Sequence, residues 1–433
     1  MLATFAPTLA HALALASAAP LPEAQPPAPP APKPAAPAWV LNDNDLSPIP
    51  GSRRSLGSSG VQWTGPDGQT QPLPTGRALV RAEAWGPVPR RAISPRVGLD
   101  AAERGQRSGA LELTDGSRIV GALLPRPIEG ELVAWVHPTL GRITLPLESV
   151  RRLALDAESA RWQEPMGLPE IRGSKDAMLL TNGDKLEGFV AAVQASGAAG
   201  DAAEQPHVRI EVDGQGRLIP IERVREVRLV NPARAARTGV RAWVGEGSVI
   251  SAAAAESPDG KSVSLRIERE PGKPGEWSLE LDSLRALSLD AGRLAGLGSL
   301  TIEAQEPWAG RRWSPPARLW DADEADNPAP LGAPDVLLPG PMTVRWTLPD
   351  RAARVGGWLL LPEGSREWGD CVVVIRFGER EAFRQRVNGQ KPTARFDLSV
   401  PAGASSLSVT VEPGEYGPIQ DAIVLRRVLI ASN

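Results

Sequence analysis

Asp321, Asp323, Glu324 and Asp326 crowd into six positions, and clustered carboxylates are the hard oxygen ligands that calcium takes. The run has neither the glycine nor the bidentate glutamate spacing of a helix–loop–helix calcium site, so a solvated acidic loop is the commoner outcome for such a stretch. Calcium on Asp321, Asp323 and Asp326 is the only cofactor for which the sequence offers a candidate. Asp259 to Ser262 reads DGKS, the ending of a phosphate-binding loop, but the first glycine that loop requires is Ala255. The residues after it, VSLRIE, alternate like a strand instead of opening a helix, which argues against nucleotide binding. Beyond the N-terminal stretch the only histidines are His137 and His207, in different parts of the chain, and a catalytic zinc normally takes three protein ligands rich in His. No Gly-x-Ser-x-Gly elbow occurs, and no serine is placed to pair with either histidine. Glycosidase chemistry needs two facing carboxylates on a rigid scaffold. Acidic residues are plentiful, but every segment reads as a small β module of binding type, and no enzyme is expected.

Aromatic usage is skewed, with thirteen Trp beside five Phe and one Tyr. Trp carries a large apolar face and one donor, so each serves as a core plug or as a platform for a ligand ring. Trp308, Trp313 and Trp320 fall close together. The only cysteine, Cys371, lies in CVVVIRF and reads as a small buried hydrophobe; one cysteine excludes an internal disulfide. Net charge is -3, with basic and acidic residues interspersed, so there is no nucleic-acid footprint.

The elements that must position these residues are β-strands. LELTDGSRIVG alternates around Asp115-Gly116, a strong hairpin signal, and GRITLPLESVRRLAL follows it. The phrase returns as MLLTNGDKLEG with RLIPIERVREVRL, and more faintly around Glu246-Gly247 with WSLELDSLRALSL. Leu147, Ile221 and Leu281 are then equivalent positions expected to be buried. The copies lie about 65 residues apart, and 433 residues exceed what one core organises, so several small domains in series are expected. The boundaries read as follows: 1–18 a signal peptide, 19–55 a Pro/Ala-rich disordered linker, 56–104 an irregular β segment, and repeats at 105–158, 172–232 and 238–291. The signal rests on the apolar stretch Leu9 to Leu15 and the Ala16-Ser17-Ala18 cleavage pattern. No later stretch is apolar over the ~18 residues of a membrane span. From 298 to 433 some seven strand-like runs without a helical period read as a β-sandwich or jelly roll.

The repeats resemble SH3-like or Sm-like small barrels, in which a strand pair with a DG or NG turn precedes a strand, a tight turn and a closing strand. Sm-type RNA sites need an acidic-x-Asn loop and an Arg-Gly turn. The corresponding turns here, Glu148-Ser149 and Glu222-Arg223, carry neither, so no nucleic-acid partner follows. The fold class is all-β: three small barrels in tandem, then a sandwich. That sandwich resembles the NPCBM family of carbohydrate-binding modules, which have a galactose-binding-like fold. The likeness lies in the Trp segment, the strand Met342 to Leu348, the turn at CVVVIRFGER and the closing LSVTVEPGEYGPIQDAIVLRRVLI. The family's Gly-Leu-Gly-x-His segment is replaced by VLLPGP. The resemblance implies a ligand site on loops at one end of the sandwich, where Tyr416, Gln420 and Asp421 offer a ring face, an amide and an acceptor pair, and Trp313 or Trp320 a stacking plane. The competing role for Asp421 is to accept backbone N–H groups and hold the closing loop. The expected function is an exported, non-catalytic binding protein of the periplasm, cell surface or medium, with polysaccharide or envelope glycan as ligand and other envelope proteins as partners. The alternative is a protein-interaction scaffold with a degenerate sugar-binding sandwich.

Overall fold

The computed structural model describes residues 39–42, 48–57, 60–64, 69–73, 78–81, 109–124, 128, 130–156, 174–195, 206–232, 239–257, 261–270, 273–290, 292–309, 311–320 and 329–432. The signal peptide, the Pro/Ala stretch up to residue 38 and the acidic run Asp321, Asp323, Asp326 lie outside the described residues. The chain is all-β. Among the described residues no helix is long and apolar enough to cross a membrane.

Four units, not three, share one strand order. The first repeat has strands Gly109–Leu113, Arg118–Leu123, Leu132–His137, Gly141–Pro146 and Val150–Ala154. They pair in the order fourth, third, second, first, fifth. The second repeat, Asp176–Leu180 to Val224–Arg228, pairs identically. So does the third, Val240–Val244 to Leu284–Ser288, with its second strand broken into Val249–Ala252 and Ala254–Glu256. An N-terminal unit repeats the order with Trp39–Asn42, Pro48–Gly57, Gly60–Thr64, Thr70–Leu73 and Ala78–Arg81. This corrects two expectations. Strands begin inside the stretch read as a disordered linker, and the irregular segment after it completes a unit, because prolines at a strand edge disguise the pattern without preventing pairing. No unit closes into a barrel either: the fifth strand gives its outer edge to another unit rather than to its own fourth strand.

The tandem Asp115-Gly116, Asn182-Gly183 and Glu246-Gly247 turns place glycine at φ 80°, 90° and 100°, where a side chain is strained. Leu147, Ile221 and Leu281 each open a 3-10 turn before the last strand. Leu147 is buried, while Ile221 and Leu281 are half-buried against the same core. Each last strand then skips one residue in its ladder with the first strand, after Val150, Val224 and Leu284. That bulge explains the sequence rhythm Leu147, Val150, Leu153, Leu155: three residues across the turn, three across the bulge, then the ordinary two. One core runs through all three repeats.

The C-terminal part is a two-sheet sandwich. One sheet runs Arg318–Leu319, Val336–Leu338, Ile423–Ser432, Ala352–Leu360, Thr393–Ser399, with Leu294–Gly296 on the far end of Ile423–Ser432. The other runs Ile302–Pro307, Met342–Thr347, Ser406–Pro413, Asp370–Phe377, Arg380–Asn388. Alternate residues such as Val344, Trp346, Val373, Ile375, Val409 and Val411 fill the space between the sheets. An apolar seam of Trp243, Val249 and Ala286 against Leu331, Ala333, Leu429 and Ala431 fixes the sandwich to the third repeat.

The small units join by pairing equivalent strands. The last strands of the first and second repeats run antiparallel with Leu153 opposite Val227, and those of the N-terminal unit and third repeat with Leu79 opposite Leu287. Equivalent residues face each other, so each pair has a local two-fold axis. Arg152 sits on the first axis, bonded to Glu226 at 2.9 and 3.1 Å and to Glu112 at 2.8 Å. Against its burial, hydrogen bonds from Arg152 and Arg228 hold the Glu226 carboxyl below the usual range. A second axis joins the first and third repeats at Arg118 opposite Val249. There Val120 donates its N–H to Ser248 Oγ at 2.9 Å and Ser251 donates its N–H to Ser117 Oγ at 2.9 Å, a reciprocal pair. The equivalent half-edges elsewhere are blocked. In the N-terminal unit Pro48 and Pro50 occupy the Arg118 and Val120 positions, so the N–H that Val120 donates has no counterpart at Pro50. In the second repeat Asp184, Lys185 and Glu187 stand there, with Lys185 ion-paired to Glu187 at 2.6 Å. Giving the second repeat the third repeat's residues, Asp184→Ser, Lys185→Val and Glu187→Ser, is expected to open this edge to a second copy. Sedimentation equilibrium should then report a concentration-dependent rise in mass over the parent chain; equal masses at all concentrations would contradict the edge argument.

Candidate functional site

Five connections cross between the sheets of the sandwich at the same end, those after Pro307, Leu338, Leu360, Asn388 and Pro413, and the ones after Pro307, Leu360 and Pro413 carry the side chains described below. Pro362 ends a strand, Glu363–Ser365 forms a 3-10 turn, and the Gly369 N–H bonds the Ser365 carbonyl at 2.7 Å, which turns Trp368 outward. A Cβ on Gly369 would lie 2.5 Å from that carbonyl oxygen and 2.8 Å from the Gln420 carbonyl oxygen, so this close approach of the two loops requires glycine. In the facing loop Gly414 bridges to Gly417, Gly417 takes φ 68° and Gln420 φ 55°, and the tight turn presents Tyr416. Trp368 and Tyr416, 51% and 57% exposed, meet edge to face with ring centroids 6.4 Å apart and planes at 84°. Two exposed rings at right angles on constrained loops present single ring faces to solvent rather than one shared plane.

Beneath the two rings lies Asp370, buried to 1%. Arg386 donates Nε and Nη2 to its two oxygens at 2.7 Å each, and the Glu415 N–H adds a bond of 2.9 Å. Arg386 also pairs with Glu415 at 3.0 Å. These bonds, Arg386 first, hold the Asp370 carboxyl below the ordinary carboxylate range despite burial. Asp421, also 1% exposed, is different. Among the described residues its Oδ1 accepts a long 3.4 Å bond from the Asp370 N–H and its Oδ2 has no hydrogen-bond partner. Burial and the nearby Asp370 charge push Asp421 up to about 6, against the Asp370 N–H and Arg311. Two carboxyls driven apart in this way are a signature of acid–base chemistry. Here, however, Gly414 lies on Asp370, where a Cβ would meet a carboxylate oxygen at 2.5 Å, and both groups sit under the loop rather than in a cleft.

Of the residues singled out in the sequence, Tyr416, Gln420 and Asp421 share this loop. Trp313 is 71% exposed over a shallow groove of about 340 Å³ beside Met342 and Pro307. Arg311, two residues earlier, donates Nη2 to the Pro418 carbonyl at 3.3 Å and ties that segment to the Tyr416 loop. Trp320 does not join them. It is half-buried at the end of Arg318–Leu319, its N–H on the Asp335 carbonyl, and among the described residues no hydrogen bond or ring contact links it to the loop. Trp368 is one of the Trp residues whose exposure bears on a stacking role, whereas Asp370, Arg386 and Glu415 were not anticipated; Trp-Gly-Asp ahead of a buried run was the available signal. Among the described residues no three His, Cys, Asp or Glu side chains gather as a metal site.

Cys371 is buried, and burial with the two neighbouring carboxylates raises its thiol. Nothing in the residue spacing pairs a serine with a histidine, yet Ser248 Oγ lies 3.0 Å from His137 Nε2. Glu246 approaches the same nitrogen at 2.9 Å, and Nδ1 accepts the N–H groups of Thr139 and Leu140 at 3.0 Å. With Ser248 buried and the carboxylate on the serine side of the ring, this is a latch between repeats and not a catalytic triad.

No family model matches the chain, and no curated protein does. Solved structures align over its parts. A CBM51 module with INT domains from Clostridium perfringens ZmpB, in complex with GlcNAc, aligns at 11% identity and TM-score 0.27, over 41% of this chain and 39% of that one. The CBM51 of Clostridium perfringens GH95 in complex with methyl-galactose aligns at 9% identity and TM-score 0.27, over 32% of this chain and 99% of that one. The Clostridium stercorarium CsCBM6-3 in complex with cellobiose aligns at 10% identity and TM-score 0.20, over 32% and 92%. Scores this low carry no functional inference.

The two carboxyls give opposite pH signatures. Asp421, raised to about 6, takes up a proton on folding between its unfolded value near ~4 and 6, so its ionisation lowers stability as pH rises through that window. Asp370, depressed, stabilises above its unfolded value and loses that as pH falls. Asp421→Asn is therefore expected to be more stable than the parent at pH 8, on the order of 2 kcal/mol, with the gap closing below about pH 4. Urea melts at a series of pH values would read this directly; a constant gap would contradict the buried, unpartnered carboxyl.

Proposed function

We propose that the chain is an exported, non-catalytic binding protein of the cell envelope whose C-terminal sandwich takes a carbohydrate on the Trp368–Tyr416 platform. The observation that carries the reading is that exposed aromatic pair, held by the Asp370–Arg386 bond and two glycine contacts at one end of the sandwich. A sugar presents an apolar CH face and a rim of hydroxyls. Trp368 meets the first, and Gln420, Glu415 and Arg386 around the turn supply donors and acceptors for the second. The burial of Asp370 and Asp421 under the loop favours binding over hydrolysis, which needs both carboxylates at the scissile bond. The four small units, read as an SH3-like or Sm-like strand order left open, serve as a rigid stalk.

A second reading, a scaffold for other envelope proteins, draws on the sheet that runs through the four small units and on the apolar seam to the sandwich. Glycan-array screening and calorimetry on the full chain separate the two. The carbohydrate reading expects binding to at least one glycan, with Trp368→Ala and Tyr416→Ala each weakening it tenfold or more, about 1.4 kcal/mol, while the melting curve holds. Absence of binding across the array would leave the scaffold; binding unchanged in both variants with the fold intact would move the site elsewhere.

A further inference from the structure

Deepening the carbohydrate reading, on which it rests, we propose that the site is extended: the Trp313 groove is a second subsite, and an oligosaccharide, not a single sugar, spans from the Trp368–Tyr416 platform across Arg311 to Trp313. Two observations meet in the groove. Trp313 is 71% exposed, more than any other large apolar or aromatic side chain described. Its ring stands over a floor of Pro307, Pro316 and Met342 in a space of about 340 Å³, within the ~300–1,000 Å³ of small-ligand sites. Ser314 lies on the same lining, but its Oγ is closed to solvent and, among the described residues, has no hydrogen-bond partner, so the groove offers ring faces and backbone rather than this hydroxyl.

The groove is joined to the platform by Arg311. Its guanidinium carries five N–H donors in a fixed fork, of which Nη2 is directed to the Pro418 carbonyl inside the Tyr416 loop. Trp313 follows Arg311 by two residues, which span at most about 7 Å of chain, so the groove and the anchor belong to one segment. The polar link between two aromatic stations suits a chain of hydroxyl-bearing rings. An apolar peptide would bury Arg311 without a partner, at a cost.

The test uses the full chain and calorimetry with mono- to pentasaccharide series of glucose, N-acetylglucosamine and galactose. In the series that binds, affinity is expected to rise at least tenfold from mono- to trisaccharide. Trp313→Ala should abolish that rise and leave monosaccharide affinity within twofold, whereas Trp368→Ala should weaken every length. Arg311→Gln, which keeps a donor but loses the fork, should reduce the rise. Equal affinity for all lengths, or a rise that survives Trp313→Ala with an unchanged melting curve, would overturn the extended site while leaving the platform standing. No binding by any member would overturn both.

Discussion

An unpaired β edge must be paired, covered or blocked, and this constraint organises the molecule. A five-stranded unit of some fifty residues is too small to hide its own edges, and each unit here gives the outer edge of its last strand to the equivalent strand of another. Main-chain pairing between equivalents creates local two-fold axes. What sits on those axes then decides which unions form: Arg152 and Glu226 on one, reciprocal serine contacts on another, prolines and charges where no union occurs. The third repeat in turn meets the sandwich through the apolar seam of Trp243, Val249 and Ala286 against Leu331, Ala333, Leu429 and Ala431.

At the far end of the sandwich the constraint changes from edges to loops. Five sheet-crossing connections converge, and the three that carry the site would each be mobile alone. They are tied by Asp370, which takes both of its oxygens' bonds from Arg386 and Glu415, and by Gly369 and Gly414, which let backbones approach where no Cβ fits. Asp421 is the residual cost, a carboxyl with one oxygen unsatisfied among the described residues. Trp368 and Tyr416 are thereby held without a ligand present, and a preorganised platform loses little entropy on binding.

Much of the fold was legible because turns and bulges leave residue-level marks. Asp115-Gly116 and Asn182-Gly183 announce hairpins, and the Leu147, Val150, Leu153, Leu155 rhythm records a 3-10 turn and a bulge. The N-terminal unit was hidden by Pro48 and Pro50, which read as linker although they lie in a paired strand. The union of units was not legible, since the side chains that select it, such as Arg152 with Glu226 and Ser117 with Ser248, lie in different repeats and meet only once the strands pair. The site was half legible. Tyr416 stood out as the sole aromatic in a Gly-rich polar loop, but composition cannot tell exposed Trp313 and Trp368 from half-buried Trp320. Asp370 gained its meaning only from Arg386, sixteen positions on in the neighbouring strand.

The central claim is that ligand meets the sandwich at its loop end and nowhere on the small units. Hydroxyl-radical footprinting read by peptide mass spectrometry tests it in one measurement, with the full chain alone and saturated with a glycan it binds. The account predicts protection confined to Trp368, Tyr416 and Trp313, with Trp358 on the open face of the six-stranded sheet and Phe189 in the second repeat oxidised equally in both samples. Protection of Trp358 or Phe189, with Trp368 and Tyr416 unchanged, would contradict it.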